Sequence, residues 1–282
     1  MDGIVNVLKP PGMTSFDVVA DLRRIYGQKR IGHGGTLDPL AAGVLPVFLG
    51  RAAGLIEYMP LHTKTYEAEF LMGFETDTED VSGKILSRGK LVTDLAVWEA
   101  AAKNFVGTIE QVPSRYSAKK VNGRRAYDLA RQGEEFALPA KTIEIKNICI
   151  REVVPPYLRL SVICSSGTYV RALGRDLGRA AGSPLTMSFL VRTKLGPFAI
   201  SEAKTMEEIR EHPDEVILPP QSFLTDLQPV ELGESEAARF LSGQRLPRRG
   251  VTDGVAAVSC GTRFLGIGTF LGGVLHPKKV WN

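Results

Sequence analysis

Residues 32–45 read Gly-His-Gly-Gly-Thr-Leu-Asp-Pro-Leu-Ala-Ala-Gly-Val-Leu. The glycines let the backbone turn sharply and let a ligand approach closely. Asp38 stands among Leu37, Pro39 and Leu40. Apolar neighbours partly desolvate a carboxylate, which suits a nucleophile or a base. Asp-Pro also makes a plain turn in which the carboxylate bonds its own backbone, and on this loop alone the turn is the commoner outcome. A second group is Cys164-Ser165-Ser166-Gly167-Thr168-Tyr169-Val170-Arg171. Here a strand ends, Gly167 turns the chain, and a helix begins with Tyr169 and Arg171 in its first turn. Backbone N–H groups there favour anions, and an arginine can pair with a carboxylate or phosphate. An arginine on an exposed helix face fits equally well.

The third group runs from Arg115 to Arg131. It carries six basic residues against one acid, Asp128, with Tyr116 and Tyr127 interleaved. Positive charge beside stacking rings suits an RNA backbone and unpaired bases; a solvated basic helix is the alternative.

The elements that must position these groups follow from periodicity. A helix after Thr14–Ser15 carries Val18, Val19, Leu22, Ile25 and Tyr26, with Gly27 at its end. Lys64 to Met72 alternates, placing Tyr66, Ala68, Phe70 and Met72 on one strand face. Thr93 is expected to cap a helix through Leu95, Trp98, Ala102 and Phe105, closed by Gly107. Thr142–Val154 and Tyr157–Cys164 read as strands joined at Pro155–Pro156, with a bulge near Asn147. A helix near Thr168 turns Val170, Leu173, Leu177 and Ala181 inward and sets Arg171, Arg175 and Arg179 on one face. The Pro-rich acidic stretch reads as a linker with a short helix. After it come a helix around Ser235–Leu241 and the β-like runs Val255–Cys260, Phe264–Phe270 and Gly273–Leu275. Strands and helices mix without a βαβ rhythm, so the fold class is α+β, with a main domain over 1–228 and a small β-rich domain over 229–282.

The chain has 282 residues, enough to bury a core without disulfides or structural metal. Cys149, Cys164 and Cys260 form neither a disulfide framework nor a zinc ribbon, which fits a reducing cytoplasm. The apolar run Leu40–Leu49 is too short to span a bilayer, and the N-terminal residues lack a signal-peptide pattern, so no membrane association is expected. Net charge is +4, yet residues 202–236 hold ten acids and two bases, a net of −8 that leaves +12 elsewhere. Such segregation suits a polyanionic partner as well as ordinary solubility. The four histidines lack metal-ligand spacing. No P-loop or Gly-x-Ser-x-Gly elbow occurs, and Gly266, Gly268 and Gly272 fit strand turns better than a dinucleotide loop.

With these residues in view, the sequence resembles the TruB-type tRNA pseudouridine synthases. GHGGTLDPLAAGVL is similar to the family's catalytic motif. Lys9-Pro10-Pro11-Gly12-Met13-Thr14-Ser15 resembles its opening motif, and Lys64-Thr65-Tyr66 with Met72-Gly73 its tyrosine motif. Ser166-Gly167-Thr168-Tyr169-Val170-Arg171, Tyr116-Ser117-Ala118-Lys119 with Gly123 and Tyr127, and Arg192-Thr193 with Gly196-Pro197-Phe198 complete the series, in family order across 3–198. Gly34 replaces the family's usual Thr or Ala. Val191 stands where the family has the first of two arginines, so one substrate-side arginine is absent.

The resemblance implies isomerisation of uridine 55 in the T loop of tRNA to pseudouridine. Because no electron or group is imported, it implies no cofactor and no metal. It further implies a pseudouridine-synthase sheet with flanking helices, a PUA-like C-terminal domain, a monomer without an obligate protein partner, and a cytoplasmic location. By resemblance Asp38 is the nucleophile, Arg171 its ion-pair partner, and Tyr66 stacks on the base and accepts a proton. Tyr169 and Leu190 line the pocket of the flipped nucleotide, His33 holds the rearranged loop, and Lys9 and Pro10 support the catalytic loop. Phosphate contacts are expected from Lys119, Lys120, Arg124, Arg125, Arg245, Arg248 and Arg249. The rival readings are a non-catalytic tRNA-binding or chaperone protein, an N-glycosidase using Asp38, and an RNA methyltransferase.

Overall fold

A computed structural model describes residues 1–117, 119–121, 123–248 and 250–281. In chain order the elements begin β1 (Gly3–Lys9), α1 (Ser15–Ile25), β2 (Ile31–His33), β3 (Ala42–Leu49), β4 (Thr63–Met72), β5 (Phe74–Thr76), β6 (Ile85–Arg88) and α2 (Leu95–Lys103). They continue β7 (Gly107–Gln111), β8 (Lys120–Val121), β9 (Arg124–Arg125), α3 (Ala126–Arg131), β10 (Lys141–Val154), β11 (Tyr157–Ser165), α4 (Val170–Ala181) and β12 (Leu185–Leu195). The remainder is β13 (Phe198–Ala199), α5 (Met206–Glu211), β14 (Gln228–Glu231), α6 (Glu234–Leu241), β15 (Leu246–Pro247), β16 (Gly254–Cys260), β17 (Arg263–Leu271) and β18 (Val274–Val280). The class is α+β. Among the described residues no helix is long and apolar enough to cross a membrane.

The chain divides into two compact units. One comprises Pro39–Val44 and His62–Leu195. Its sheet runs β12-β4-β11-β10-β7, with every neighbouring pair antiparallel. The alternation of β4 buries Tyr66, Ala68, Phe70 and Met72, as the pattern predicts. Strands β10 and β11 meet at a cis Pro155–Pro156 bond, and their register slips at Asn147, where the apolar period breaks. Helix α4 buries Val170, Leu173, Leu177 and Ala181. Its Gly174 is pressed on Phe70 so closely that a Cβ there would strike the ring. Gly174→Ala is therefore expected to destabilise the protein by roughly 1–3 kcal/mol through overpacking. Thermal unfolding checks this; an unchanged melting temperature contradicts the packing.

Helix α2 differs from its expected bounds. Asp94, not Thr93, is the N-cap, its carboxylate accepting from Ala96 N at 2.9 Å, and the helix ends before Phe105. Asp competes well for that position, being one residue nearer the first apolar turn.

The other unit comprises Met1–Asp38, Leu45–Leu61 and Gly196–Asn282. Thr14 and Asp17 form a reciprocal capping box that starts α1. Val18, Val19 and Leu22 of α1 pack with Val5, Val7, Leu45, Val47 and Leu49. The acidic stretch is not a linker. It lies along β1 through Leu218 N to Ile4 O (2.7 Å) and Leu8 N to Lys204 O (2.7 Å), and Met206, Ile209 and Val216 enter the same core. Its charges face outward while three apolar residues hold it down, which charge counting does not reveal.

The C-terminal residues form a five-stranded sheet, β14-β16-β17-β18-β15, around Phe240, Val258, Leu265, Phe270 and Leu275. Strand β18 runs well past the expected Leu275, its register slipping beside Pro277. Gly266, on β17, lets the Lys279 carbonyl approach where a side chain would stand. It is a sheet glycine and not part of a dinucleotide loop.

Candidate active site

Asp38 is half-buried, between buried Leu37 and exposed Pro39. Its approach is fixed by Ser15, whose hydroxyl accepts from Leu37 N at 2.9 Å and donates to Leu37 O at 3.3 Å. His33 closes the β2–β3 ladder opposite Val47, and its Nδ1 accepts from Gly35 N at 3.3 Å. Lys9 is fully buried and donates to the carbonyls of Pro10 (2.8 Å) and Met13 (2.6 Å). That ammonium closes the 10–13 turn, where Gly12 adopts a φ of 88°.

Tyr66 stands in the middle of β4, opposite Val162 on β11 and Arg192 on β12. Leu190 opposes Ala68 in the same ladder, so Tyr66, Leu190 and Arg192 share one buried face. The Arg192 guanidinium donates to the Tyr66 phenol oxygen. Its Nε donates to Val44 O at 2.8 Å. Arg192 is fully buried, and burial pushes its pKa down while the Tyr66 oxygen opposes the shift. Gly43, at φ 112°, presses on the Arg192 backbone where no side chain fits. The Pro39–Val44 segment that follows Asp38 is thereby held to β12 by one buried cation and one required glycine. Sequence reasoning did not single out Arg192 as a site residue; its signal was the Arg192-Thr193 motif.

Tyr169 caps α4, with its backbone N–H and carbonyl both bonded to the buried Gln111 amide (2.9 and 3.1 Å). Two residues on, Arg171 is 6% exposed, which removes the exposed-face reading. It donates to Thr78 O (3.1 Å), Tyr116 O (3.1 Å) and Ser114 Oγ (3.4 Å) and lies 3.6 Å from the Asp80 carboxylate. Asp80 is itself fixed by Thr78 Oγ1 (2.8 Å) and Ser82 N (3.0 Å). Arg175 donates to Glu79 at 2.6 Å. Burial raises the Glu79 carboxyl above its usual range, against the opposing pull of Arg175. Arg179 is the exposed one of the three. Asp80 and Glu79 were also missed; the polar run Asp77-Thr78-Glu79-Asp80, ending near Gly83, was the available signal.

The basic segment is more internally tied than its composition suggests. Arg124 pairs with Glu134 at 2.9 Å, Lys119 donates to Pro139 O at 3.1 Å, and Arg115 lies over the Phe136 ring. The Tyr116 hydroxyl donates to Asp77, and Arg131 covers Tyr127. In the C-terminal sheet Arg248 pairs with Glu236. The side chains of Lys120 and Arg125, and the whole of Ala118 and Arg249, lie outside the described residues.

The described face offers a phenol with a cation on its oxygen and an apolar wall, and, at the start of α4, a second buried guanidinium. Residues 23–170 match the model of the TruB family pseudouridylate synthase N-terminal domain. Residues 229–280 match that of the pseudouridine synthase II TruB C-terminal domain.

The chain belongs to the TruB family.

It is accordingly an isomerase of the pseudouridine synthase class. A relative named tRNA pseudouridine synthase B, from Caldanaerobacter subterraneus subsp. tengcongensis, is 43% identical over 100% of this TruB-family chain and 99% of its own. Another of that name, from Acaryochloris marina, is 42% identical over 99% of each chain. Among solved structures, one described as a Cbf5-Nop10-Gar1 complex holds a chain with a TM-score of 0.74 at 23% identity, covering 99% of this chain and 84% of that one. It shows that the two chains share an α+β fold.

Proposed function

We propose that this TruB-family enzyme isomerises uridine 55 in the T loop of tRNA to pseudouridine, with Asp38 as nucleophile and without a cofactor. The observation that carries the reading is the full-length identity to relatives named tRNA pseudouridine synthase B, with Asp38, Tyr66 and Arg171 intact in this chain. The N1–C1′ bond breaks, the base rotates, and C5 bonds to C1′. The C5 hydrogen leaves as a proton and N1 gains one, so the product is an isomer. Asp38 attacks C6 or C1′ or assists loss of the base to a glycal. Arg171 is its counter-charge.

The uridine must leave its stack, at a cost of roughly a few kcal/mol. Tyr66 stacks on the extruded base and its oxygen takes the C5 proton. The Arg192 donor stabilises negative charge on that oxygen. Tyr169 and Leu190 line the pocket, His33 holds the displaced loop bases, and Lys9 and Pro10 support the loop. Residues 1–228 are proposed as the catalytic domain and 229–282 as a PUA-like RNA-binding domain, in a cytoplasmic monomer acting without a protein partner.

Lys119, Arg124, Arg245 and Arg248 are proposed phosphate contacts. With about four such contacts, affinity for T-arm RNA falls roughly 150-fold between 50 and 200 mM salt. A flat titration removes the electrostatic part of the proposal. The position is tested by carbodiimide mapping of unmodified tRNA after incubation: the expected result is one new pseudouridine-dependent stop, at position 55. A stop elsewhere, or none, contradicts the assignment.

A further inference from the structure

Tyr169 leads into α4, and Arg171 lies in the first turn of that helix. Tyr169 holds extended backbone angles, φ −105° and ψ 108°, and its own side chain makes no capping bond. Gln111 stands beside it as the last residue of β7, paired with Lys141 of β10 and 2% exposed. The Gln111 Oε1 accepts from Tyr169 N at 2.9 Å, and its Nε2 donates to Tyr169 O at 3.1 Å. One primary amide thus grips both backbone polar groups of a single residue, as a neighbouring strand would. The match is chemically selective. A carboxylate of the same length offers two acceptors and no donor, and a methionine offers no donor and only a weak acceptor.

The residues after Gln111 continue the same brace. Val112 O accepts from Arg175 at 2.9 Å. Ser114 Oγ and Tyr116 O accept from Arg171 at 3.4 and 3.1 Å. Gln111 heads this segment and holds the residue from which α4 sets out. We propose that Gln111 is a positioning residue whose amide fixes the Tyr169 backbone and, through it, the Tyr169 ring and the Arg171 guanidinium in the geometry the reaction needs. It acts through these two residues rather than on the substrate. The inference rests on the function proposed above and deepens it. A glutamine that served the fold alone would cost stability when replaced, and would leave the rate of the folded enzyme unchanged.

The test uses the full-length protein, T-arm RNA carrying tritium at uridine C5, and Gln111→Met, which keeps the length and removes both bonds. In single turnover Gln111→Met is expected to release tritium about 10- to 100-fold more slowly than wild type, with RNA affinity within about threefold. In the double variant with Arg171→Met the loss should stay close to that of Arg171→Met alone, because both residues serve one arrangement. Hydrogen exchange reads the clasp itself. The Tyr169 amide should be protected in wild type and exchange at least about tenfold faster in Gln111→Met.

The inference is overturned if folded Gln111→Met releases tritium at the wild-type rate, or if its loss multiplies in full with that of Arg171→Met. A loss of RNA affinity as large as the loss of rate also overturns it, since Gln111 would then serve binding. Should Gln111→Met fail to fold, Gln111→Glu takes its place. It keeps the acceptor for Tyr169 N, loses the donor to Tyr169 O and is expected to be slower than wild type; a wild-type rate overturns the inference. A wild-type Tyr169 amide that exchanges as fast as an unstructured peptide overturns it without any variant. Tritium release by wild type keeps the two readings apart. Its absence sinks the isomerase proposal, whereas normal release by wild type and Gln111→Met alike sinks only the role of Gln111.

Discussion

Arg171→Met is expected to lower turnover on T-arm RNA by at least about 100-fold while changing RNA affinity only a few-fold. The guanidinium is buried and tied to Thr78 O, Tyr116 O, Ser114 Oγ and the Asp80 carboxylate. Methionine keeps the apolar stem and removes every donor. Loss of an interaction made mainly in the transition state lowers kcat and kcat/KM together and leaves KM nearly constant. The same change strands Asp80, which is almost fully buried. Breaking a buried pair from one side costs about 3–5 kcal/mol. Melting temperature must therefore be measured beside the rate. A folded Arg171→Met protein with full turnover contradicts the catalytic role, and one with an unchanged melting temperature contradicts the Asp80 pairing.

Tyr66→Phe is expected to lower the single-turnover rate by about 10²–10⁴, the usual range for a general acid or base. The ring remains, so stacking and RNA affinity should persist. The paired change Arg192→Met removes the donor to the phenol oxygen and to Val44 O. If both residues act through the one oxygen, the double variant is little worse than Tyr66→Phe alone. Strict additivity of the two rate losses sets the contribution of Arg192 apart from the phenol. An unchanged rate in Tyr66→Phe reduces Tyr66 to a stacking surface.

Much of the frame was legible because local chemistry decided it. Thr14 and Asp17 make a reciprocal cap that only a helix start satisfies. The alternation through Tyr66, Ala68, Phe70 and Met72 allows one buried strand face, and the lost period at Asn147 is where β10 slips against β11. What escaped depends on residues far apart in the chain. Val216 and Ile209 anchor the acidic stretch in the core around β1, although their neighbours are charged. Arg192 looks like any strand arginine until its place opposite Tyr66 and Gly43 is known. Glu79, at a φ of 64°, and Asp80 gain their meaning from Arg175 and Arg171, more than 90 positions away. In the basic segment composition misled in part, because Glu134, just beyond it, takes up Arg124.

The most direct test of the central claim is release of tritium to water from T-arm RNA labelled at uridine C5, by wild type and by Asp38→Asn. The C5 hydrogen is lost when the base rejoins the ribose through C5. Release by wild type together with none above background by a folded, RNA-binding Asp38→Asn is the predicted result. Release by both proteins would contradict Asp38 as the nucleophile, and binding without release by wild type would contradict the isomerisation itself.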